Sequence, residues 1–344
     1  MTRPGRRLGR LCLCDSRGFS VSPFRFARQN GPLKAAVVGA GAFGRHHAAK
    51  YRALDGVELL AIADPSAEVR KSAAATHGVP AVADWRELLG KVDVVSVASP
   101  AVTHAEIVRA FLNAGAHVLV EKPIATSIEE ADALITLAER MGLILTVGHQ
   151  ERFVFAHTGL LDYEDSPLEV SCWRQGPWSG RGTDVSVVLD LMIHDLDLVH
   201  QLIPGKVRNV QARGRIEKAS FADEVSAAVL FENGAVARLE TSRIAETRRR
   251  GMRAVYADGV VEIDFLTHKV TNTTPRALNA LEVGDPLAES VAAFVAAAQS
   301  GQPPLVRPRQ ARRALETALL IDEASERSGA QRNRQEQVAY AAAN

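Results

Sequence analysis

Short apolar runs alternate with helical patterns through the first half of the chain. The runs read "LKAAVVG", "VELLAIA", "VDVVSVA", "HVLVE" and "LILTVG", and the helices between them are predicted near residues 42–54, 66–77, 101–114 and 127–141. All-apolar strands separated by helices indicate a parallel sheet that is covered on both faces. The pattern therefore predicts an α/β domain with a doubly wound parallel sheet over residues 33–150.

After Gly148 the period of the apolar positions changes to two. Runs such as "LEVSCWRQ", "VRNVQARGRIE" and "MRAVYADGVVEIDF" alternate apolar and polar residues, and "ENGA" and "ADGV" carry hairpin turn signals. We therefore expect an α+β domain with a largely antiparallel open sheet over residues 151–330. Its helices are predicted near 184–203, 286–299 and 308–327, and a polar tail, 331–344, is expected to fray.

The predicted helix near 184–203 is apolar but carries several acids. In "VVLDLMIHDLDLVHQL" the polar residues Asp190, His194, Asp197 and Gln201 are spaced by four, three and four. On an α-helix this spacing places them in one narrow stripe. A plain solvated face would look the same, so the stripe alone does not decide between an exposed helix and a helix that lines a cavity.

The stretch "GAGAFG" has the G-x-G-x-x-G spacing, with Gly39, Gly41 and Gly44 around Ala42 and Phe43. It follows a predicted strand and opens a predicted helix, which is the context of a Rossmann dinucleotide-binding loop. The first glycine allows the tight turn, the second admits the pyrophosphate and the third lets the helix pack on the strand. These five residues are predicted to bind a dinucleotide.

Asp64 ends the second predicted strand, twenty residues after Gly44. A carboxylate at this position can accept hydrogen bonds from an adenosine ribose, and its charge repels a 2′-phosphate. The next residues, Pro65 and Ser66, supply no cation to offset that repulsion. The sequence therefore favours NAD over NADP.

Two later strand ends carry polar residues at the edge where ligands of such sheets bind. Ser99 and His104 follow one strand, and Glu121 and Lys122 follow the next, directly before Pro123. All four polar residues are predicted to contact the cofactor. Proline restricts the backbone of the residue before it, so Lys122 is also a candidate for a fixed catalytic cation.

The order of "GAGAFGRHHA", "AIADPS", "SPAVTHAEI", "VEKPIA" and the D-x-x-x-H helix resembles the glucose–fructose oxidoreductase, inositol dehydrogenase and rhizopine catabolism (Gfo/Idh/MocA) family over roughly residues 33–330. The resemblance implies that Lys122 is the family's Glu-Lys-Pro lysine. It also implies that Asp190 is the substrate-binding aspartate and His194 the catalytic histidine. Family members have a dinucleotide domain followed by an open-sheet domain, through which this chain would form a homodimer or homotetramer.

These residues suit the NAD-dependent oxidation of a sugar secondary alcohol to a ketone. His194 can take a proton near neutral pH, and Lys122 can polarise the oxygen and stabilise alkoxide charge. Asp190 would orient the substrate hydroxyl or the imidazole. The hydride chemistry belongs to the cofactor, and no metal is expected.

The segment "VGHQERF" is similar to the corresponding stretch of family members that oxidise the 3-hydroxyl of UDP-linked N-acetylglucosamine or its uronic acid. Arg152, Trp178 and Arg181 are candidate substrate contacts, because Arg suits a diphosphate and Trp can stack on a base or a sugar. A nucleotide sugar, a precursor of lipid A or a surface polysaccharide, is the favoured substrate, with a sugar aminotransferase acting next. A free sugar or cyclitol and a nonenzymatic NAD-binding sensor remain alternatives.

Charge and composition narrow the remaining functions. The net charge is +1, but residues 1–32 hold seven Arg and one Asp, so the rest of the chain is mildly acidic and unlike a nucleic-acid binder. The chain contains no apolar run long enough to span a membrane. Three cysteines without a framework spacing favour a reducing compartment, and a cytoplasmic location is expected.

The basic segment 1–32 has the composition of a mitochondrial transit peptide. The favoured explanation is instead a disordered basic arm, a cloning remnant or a start codon assigned too early. The sequence predicts that the folded body begins at Leu33.

Overall fold

The computed structural model describes residues 31–281 and 284–343, and its side chains up to residue 328. The predicted N-terminal extension, apart from its last two positions, lies outside the described residues. Within the described part no helix is long and apolar enough to cross a membrane.

The first domain contains a parallel sheet of six strands with helices between them. Its strands are β1 Leu33–Val38, β2 Val57–Ala63, β3 Ala81–Val82, β4 Val94–Val97, β5 His117–Val120 and β6 Leu145–Val147, and its helices are α1 Ala42–Ala53, α2 Ala67–His77, α3 His104–Asn113 and α4 Ile128–Met141. The strand order is β3-β2-β1-β4-β5-β6. Strands β4 and β5 are buried at every position, as expected for largely apolar strands of a sheet that is covered on both faces. The predicted doubly wound sheet is confirmed, and the reversal of strand order between β1 and β4 opens a crevice at their carboxyl ends.

The second domain is built on a seven-stranded sheet. Its strands are β7 Glu169–Gln175, β8 Val207–Arg215, β9 Glu224–Phe231, β10 Val236–Ser242, β11 Arg249–Tyr256, β12 Gly259–Asp264 and β13 Lys269–Asn272, in the order β13-β12-β11-β7-β10-β9-β8. The Asn-Gly and Asp-Gly turns join β9 to β10 and β11 to β12, as predicted. All pairs are antiparallel except β7 with β10, so the expected largely antiparallel sheet is confirmed.

Four helices accompany this sheet, and three of them differ from the sequence prediction. They are α5 Glu151–His157, α6 Ile193–Leu202, α7 Pro286–Ser300 and α8 Pro308–Ala343. Helix α5 was not predicted, because its seven residues are too few to show a period. The helix expected over 184–203 begins instead with a π-helical turn, Val188–Met192, that leads into α6. Helix α8 extends beyond the end predicted near residue 327, so the tail expected to fray is helical to Ala343.

The two C-terminal helices return to the first domain and join its core to that of the second. Helix α7 packs on α1 and α5, and α8 packs on α4 and α6. Phe294 of α7 is buried with the face of the first sheet that Tyr51 covers. Leu315 and Ile321 of α8 belong to the larger apolar core, which extends through both domains. The burial of apolar side chains on α7 and α8 therefore fixes the position of one domain relative to the other.

A buried ion pair connects α5, α6 and α8. The guanidinium of Arg152 donates to both carboxylate oxygens of Asp197, at 2.6 and 2.7 Å, and to Oε1 of Gln310 at 2.9 Å. Arg152 and Asp197 are 2% and 1% exposed. Arg152 therefore holds three helices together, and the predicted contact between its guanidinium and a substrate phosphate is wrong.

We expect Arg152→Met to destabilise the fold, because it leaves the Asp197 carboxylate buried without its cation. Breaking a buried pair in this way costs about 3–5 kcal/mol of unfolding free energy. Urea unfolding followed by circular dichroism measures the change. Arg309→Met is the matched control, since Arg309 pairs with Glu139 on the surface, and it should leave the unfolding midpoint unchanged. An Arg152→Met protein as stable as wild type would contradict the assigned role.

Candidate active site

A cavity of about 1000 Å³ lies at the carboxyl ends of the parallel strands, between the two domains. The first domain contributes the glycine loop, the end of β2 and the loops after β4 and β5. The second domain contributes the segment between β7 and α6. The predicted site residues that line it are Gly39, Gly41, Ala42, Phe43, Asp64, Ser99, Glu121, Lys122, Arg181 and Asp190.

The three glycines of the loop are required for different steric reasons. Gly39 has a φ of +89°, and a Cβ there would lie 2.6 Å from the carbonyl oxygen of Ala98. A Cβ on Gly44 would lie 1.7 Å from the carbonyl oxygen of Gly39, so only glycine lets α1 pack against β1. A Cβ on Gly41 would meet no protein atom within 4 Å. Gly41 caps α1 without a side-chain hydrogen bond, which leaves open space at a helix N-terminus where an anion is favoured.

Asp64 is held at the cavity wall by two backbone groups. Its Oδ2 accepts a hydrogen bond from the Ala40 amide at 2.8 Å, and its Oδ1 accepts one from the Ser66 amide at 2.9 Å. Arg45 and Arg86 line the same cavity. Arg86 is neutralised by Asp84 and Glu106, at 3.1 and 2.6 Å, whereas no ion pair engages Arg45 within the described structure. Neither cation follows Asp64 directly in the sequence, so the residues after Asp64 did not reveal them.

Lys122 and Asp190 meet across the domain boundary. The ammonium of Lys122 donates to Oδ1 of Asp190 at 2.9 Å and to the Asp190 carbonyl oxygen at 2.5 Å. Their side chains are 15% and 21% exposed, so both remain accessible from the cavity. A Cβ on Gly182, which has a φ of +62°, would lie 2.2 Å from the Asp190 carboxylate. Gly182 therefore lets the loop before the helix close over Asp190, a role that "GRGTD" did not reveal.

Glu121 is buried beside this pair and is held by polar partners. It accepts hydrogen bonds from Nε2 of His47 at 2.9 Å and from the Gln150 amide at 3.1 Å. Burial opposes its ionisation, but the His47 hydrogen bond and the charges of His47 and Lys122 outweigh that effect and lower its pKa. Glu121 is therefore a carboxylate at the floor of the cavity.

His104 does not line the cavity, contrary to the prediction that it contacts the cofactor. It is 1% exposed, and its ring nitrogens lie 2.9 Å from the carbonyl oxygen of Ser99 and 2.7 Å from that of Pro123. His104 therefore ties together the loops that follow β4 and β5. The side chain of Ser99, which does line the cavity, contacts Thr103 Oγ1 at 2.7 Å.

The polar stripe expected on the helix is divided in the structure. Asp190 faces Lys122, whereas Asp197 faces Arg152 and Gln201 contacts Gln310. The predicted stripe assumed a continuous α-helix, but the π-helical turn at Val188–Met192 changes the rotation per residue between Asp190 and α6. Asp190 and Asp197 therefore do not share the one narrow stripe that the sequence spacing predicted.

His194 follows Asp190 by four residues and is largely buried. Its Nδ1 lies 2.6 Å from Oε2 of Glu151, at the start of α5. Burial lowers the pKa of His194 below its ordinary value of 6.5, and the Glu151 carboxylate opposes that shift. His194 is therefore neutral at pH 7 and able to accept a proton.

Of the remaining predicted contacts, Arg181 is at the cavity and Trp178 is not. Trp178 is half-buried, with Lys218 Nζ and Arg243 Cζ at 5.8 and 5.9 Å from its ring centre. Two exposed arginines lie where β11 begins: Arg248 directly before the strand and Arg249 as its first residue. Neither was among the candidates predicted from sequence. The run "ETRRRG" was the available signal for them.

A glycine loop of this type, in one cavity with a lysine and near a histidine suited to alcohol chemistry, is typical of dinucleotide-dependent oxidoreductases. Residues 33–149 match the family model described as "Oxidoreductase family, NAD-binding Rossmann fold", and residues 158–262 match the "GFO/IDH/MocA C-terminal domain". The chain belongs to the GFO/IDH/MocA oxidoreductase family, which confirms the resemblance stated above.

Several relatives with assigned activities are sugar or cyclitol dehydrogenases. The UDP-N-acetylglucosamine 3-dehydrogenase of Acidithiobacillus ferrooxidans is 34% identical over 253 residues, which cover 71% of this chain and 79% of that protein. A solved structure of that enzyme superposes with a TM-score of 0.80 at 33% identity, covering 86% of this chain and 99% of the other. The myo-inositol 2-dehydrogenase of Thermotoga maritima is 27% identical over 311 residues, which cover 82% and 93% of the two chains.

The glycine geometry predicts that two single substitutions have different effects. Gly44→Ala should lower the melting temperature by several degrees and abolish measurable NAD binding, because its methyl group forces α1 away from β1. Gly41→Ala should keep the melting temperature of the wild type but weaken NAD binding, because its methyl group enters only the open space. Thermal unfolding and isothermal titration with NAD measure both effects. Equal loss of stability in the two variants would contradict this interpretation.

Proposed function

We propose that this protein oxidises a secondary alcohol of a sugar to a ketone with NAD, and that the alcohol is the 3-hydroxyl of a UDP-N-acetylglucosamine-type nucleotide sugar. The observation that carries the proposal is the Lys122–Asp190 pair, which faces the same cavity as the glycine loop. The dehydrogenase of Acidithiobacillus ferrooxidans, which acts on that class of substrate, supports the choice of sugar.

The residues at the first-domain side of the cavity fit a dinucleotide. The α1 N-terminus has no side-chain cap and no acidic residue in its first turn, so its amide groups are available to a pyrophosphate. The Gly41 position leaves the approach open, and Asp64, which lines the same cavity, is proposed to accept hydrogen bonds from a ribose. When bound there, NAD supplies the hydride acceptor.

The protein's own residues accept the hydroxyl proton and stabilise the negative charge on the substrate oxygen. As the carbon-bound hydrogen leaves the substrate as a hydride, neutral His194 takes the hydroxyl proton. The Lys122 ammonium lies where it can stabilise the negative charge that develops on that oxygen. Asp190 anchors the ammonium through its Oδ1 and orients the substrate hydroxyl with its remaining acceptor capacity.

Arginines on two adjoining segments favour an anionic substrate. Arg181 lines the cavity, and the segment that carries it lies beside the one that carries Arg248, since the Ala245 amide donates to the Gly176 carbonyl oxygen at 3.0 Å. We propose that Arg181 and Arg248 contact the diphosphate, a role for which guanidinium groups are well suited. This assignment replaces the one made for Arg152 from sequence.

The proposed product and fold suggest partners. A 3-keto sugar is a substrate for an aminotransferase, so we propose that a sugar aminotransferase acts next, as in the synthesis of lipid A or a surface polysaccharide. We also propose that the seven-stranded sheet forms a homodimer or homotetramer.

Asp64 is expected to make the protein prefer NAD to NADP, because its carboxylate accepts from the ribose and repels a 2′-phosphate. Asp64→Ala should bring the ratio of the dissociation constants of NADP and NAD closer to one, because it should weaken NAD binding and strengthen NADP binding. Isothermal titration of both cofactors against both proteins measures the ratio. A wild-type preference for NADP would show that Arg45 and Arg86, rather than Asp64, determine the choice.

We expect NADH to form when the protein is given NAD and UDP-N-acetylglucosamine, with an aminotransferase and its amino donor added to remove the ketone. Lys122→Met should lower turnover by about two to four orders of magnitude while NAD still binds. Lys50→Met is the matched control, because Lys50 also pairs with an aspartate, Asp285, but lies outside the cavity. The increase in NADH absorbance measures the turnover of the wild type and of both variants.

Two other outcomes would contradict the proposal at different levels. Turnover of a free sugar or an inositol, with none of the nucleotide sugar, would overturn the substrate and leave the oxidation chemistry in place. Failure of every sugar while NAD binds would favour a nonenzymatic sensor.

A further inference from the structure

His194 and Glu151 form a contact that the proposed proton transfer does not itself require. Nδ1 of His194 lies 2.6 Å from Oε2 of Glu151, an ion-pair distance at which the two groups are not aligned as a hydrogen bond, and neither atom has a hydrogen-bond partner in the described part of the chain. Both side chains are largely buried, at 14% and 11% exposed. Nδ1 is enclosed, whereas Nε2 is not among the buried atoms without a partner, so Nε2 is the ring nitrogen that the proposed function assigns to the substrate.

Glu151 is fixed by two arginines from the sheet of the second domain. Nη1 of Arg174, on β7, donates to Oε1 of Glu151 at 3.2 Å, and Nη2 of Arg250, on β11, donates to the same oxygen. Arg174 is itself held by Asp195, with contacts of 2.7 and 3.1 Å. Both arginines bind Oε1, so Oε2 is left to the histidine.

We propose that Glu151 is the positioning residue for His194: it accepts the Nδ1 proton and so leaves Nε2 unprotonated to receive the proton of the sugar hydroxyl. This inference rests on the proposed function, in which His194 is the base. It adds a residue on another element, 43 positions earlier in the chain, to the Lys122, Asp190 and His194 set.

The charge of Glu151 has a second consequence once the proton has moved. A carboxylate behind the ring fixes the tautomer of a neutral histidine and stabilises the imidazolium that proton transfer creates. Burial opposes the ionisation of Glu151, but the charges of His194, Arg250 and Arg174 outweigh it and hold its pKa well below the ordinary value. The carboxylate is therefore charged throughout the pH range in which the histidine titrates.

Several charged groups face His194 from the elements packed around it, and the experiment must separate Glu151 from them. Burial lowers the pKa of His194 most, Glu151 raises it, and Arg174 and Lys122 lower it. The ring of His149 lies edge-on at 6.1 Å, and burial holds its pKa at about 4, so that ring is neutral. The remaining neighbours are Glu121, Asp197 and, through Glu151, Arg250.

Glu151 could instead serve only to neutralise Arg174 and Arg250. In that case its removal would reduce stability and leave the titration and tautomer of His194 unchanged. The positioning role requires both of these properties of His194 to depend on Glu151, which gives the two interpretations different observable results.

We expect Glu151→Gln to lower kcat about 10- to 100-fold while KM changes little, a smaller loss than removal of the base itself. Neutral His194 is the active form, so kcat for alcohol oxidation rises as the pH passes upward through the pKa of His194, which lies below 6.5. Loss of the carboxylate lowers that pKa further, so the acidic limb of the profile should move to lower pH by about one unit.

Glu289→Gln is the matched control for this substitution. Glu289 contacts His157 at 3.0 Å on the surface, so the change removes an equivalent glutamate–histidine pair away from the cavity. Its kcat and pH profile should equal those of the wild type. Glu151→Asp keeps the charge and should retain the acidic limb of the wild-type profile, even where its kcat is reduced.

NMR of isotope-labelled histidine in the full-length chain tests the inference without any substrate. The His194 signal is identified by its loss in His194→Gln. We expect neutral His194 of the wild type to be protonated at Nδ1, and its pKa to fall in Glu151→Gln. A wild-type His194 protonated at Nε2, or a pKa unchanged in Glu151→Gln, would overturn the positioning role.

The two measurements distinguish failure of this inference from failure of the proposed function. If Glu151→Gln turns over the sugar with the same acidic limb of the pH profile as the wild type, the inference is overturned and the proposed function is not. Absence of turnover with every sugar overturns the proposed function, and the NMR result still decides whether Glu151 sets the tautomer. If Glu151→Gln does not fold, the wild-type tautomer and the profile of Glu151→Asp decide the question.

Discussion

The contact between Lys122 and Asp190 is the interaction on which the arrangement of the site depends, because each residue comes from a different domain. Lys122 is presented by the end of β5 in a rigid parallel sheet, and Asp190 by the π-helical turn before α6. The contact forms only if the two domains keep a fixed relation. The packing of α7 and α8 against the first domain supplies that constraint, so residues near the C-terminus determine the geometry of a site formed by residues 39–194.

The acidic residues of α6 are explained by pairing rather than by a common face. Asp195 is matched by Arg174 on β7 and Asp197 by Arg152 on α5, and both acids are buried. An unpaired carboxylate at either depth would be strongly destabilising, whereas a fork-shaped guanidinium satisfies both oxygens. Glu151 is also paired, because Arg174 and Arg250 of the sheet both donate to its carboxylate. Buried charge in this protein therefore orients elements as well as side chains.

Sequence patterns were sufficient to predict the fold and most of the first-domain residues that line the cavity, but they misplaced His104 and did not reveal Arg45 and Arg86. The glycine spacing, Asp64 and Lys122 could be recognised because strand–loop–helix order brings such residues together locally. Arg152 was misassigned because its partner Asp197 lies 45 positions away and nothing in "QERF" distinguishes a buried arginine from a phosphate-binding one. The Glu151–Arg250 contact joins helix α5 to strand β11 across 99 positions, and no local period encodes such a contact. The π-helical turn was also invisible, since its sequence fits an ordinary helix.

The residues that could be predicted from sequence and those that could not differ in the chemical tasks proposed for them. Cofactor binding uses backbone geometry, which glycine spacing records directly, and the same loop serves family members that act on different sugars. In the proposed function, substrate choice depends on side chains from the segment before the π-helical turn and from the residues around the start of β11, which carry Arg181 and Arg248. The proposed base combines both kinds of signal: His194 belongs to the family pattern, but the carboxylate next to it comes from α5. Because Glu151 is anchored by the strands that continue into the substrate-facing segments, a change in those segments can alter the basicity of His194 without touching the residues that hold the cofactor.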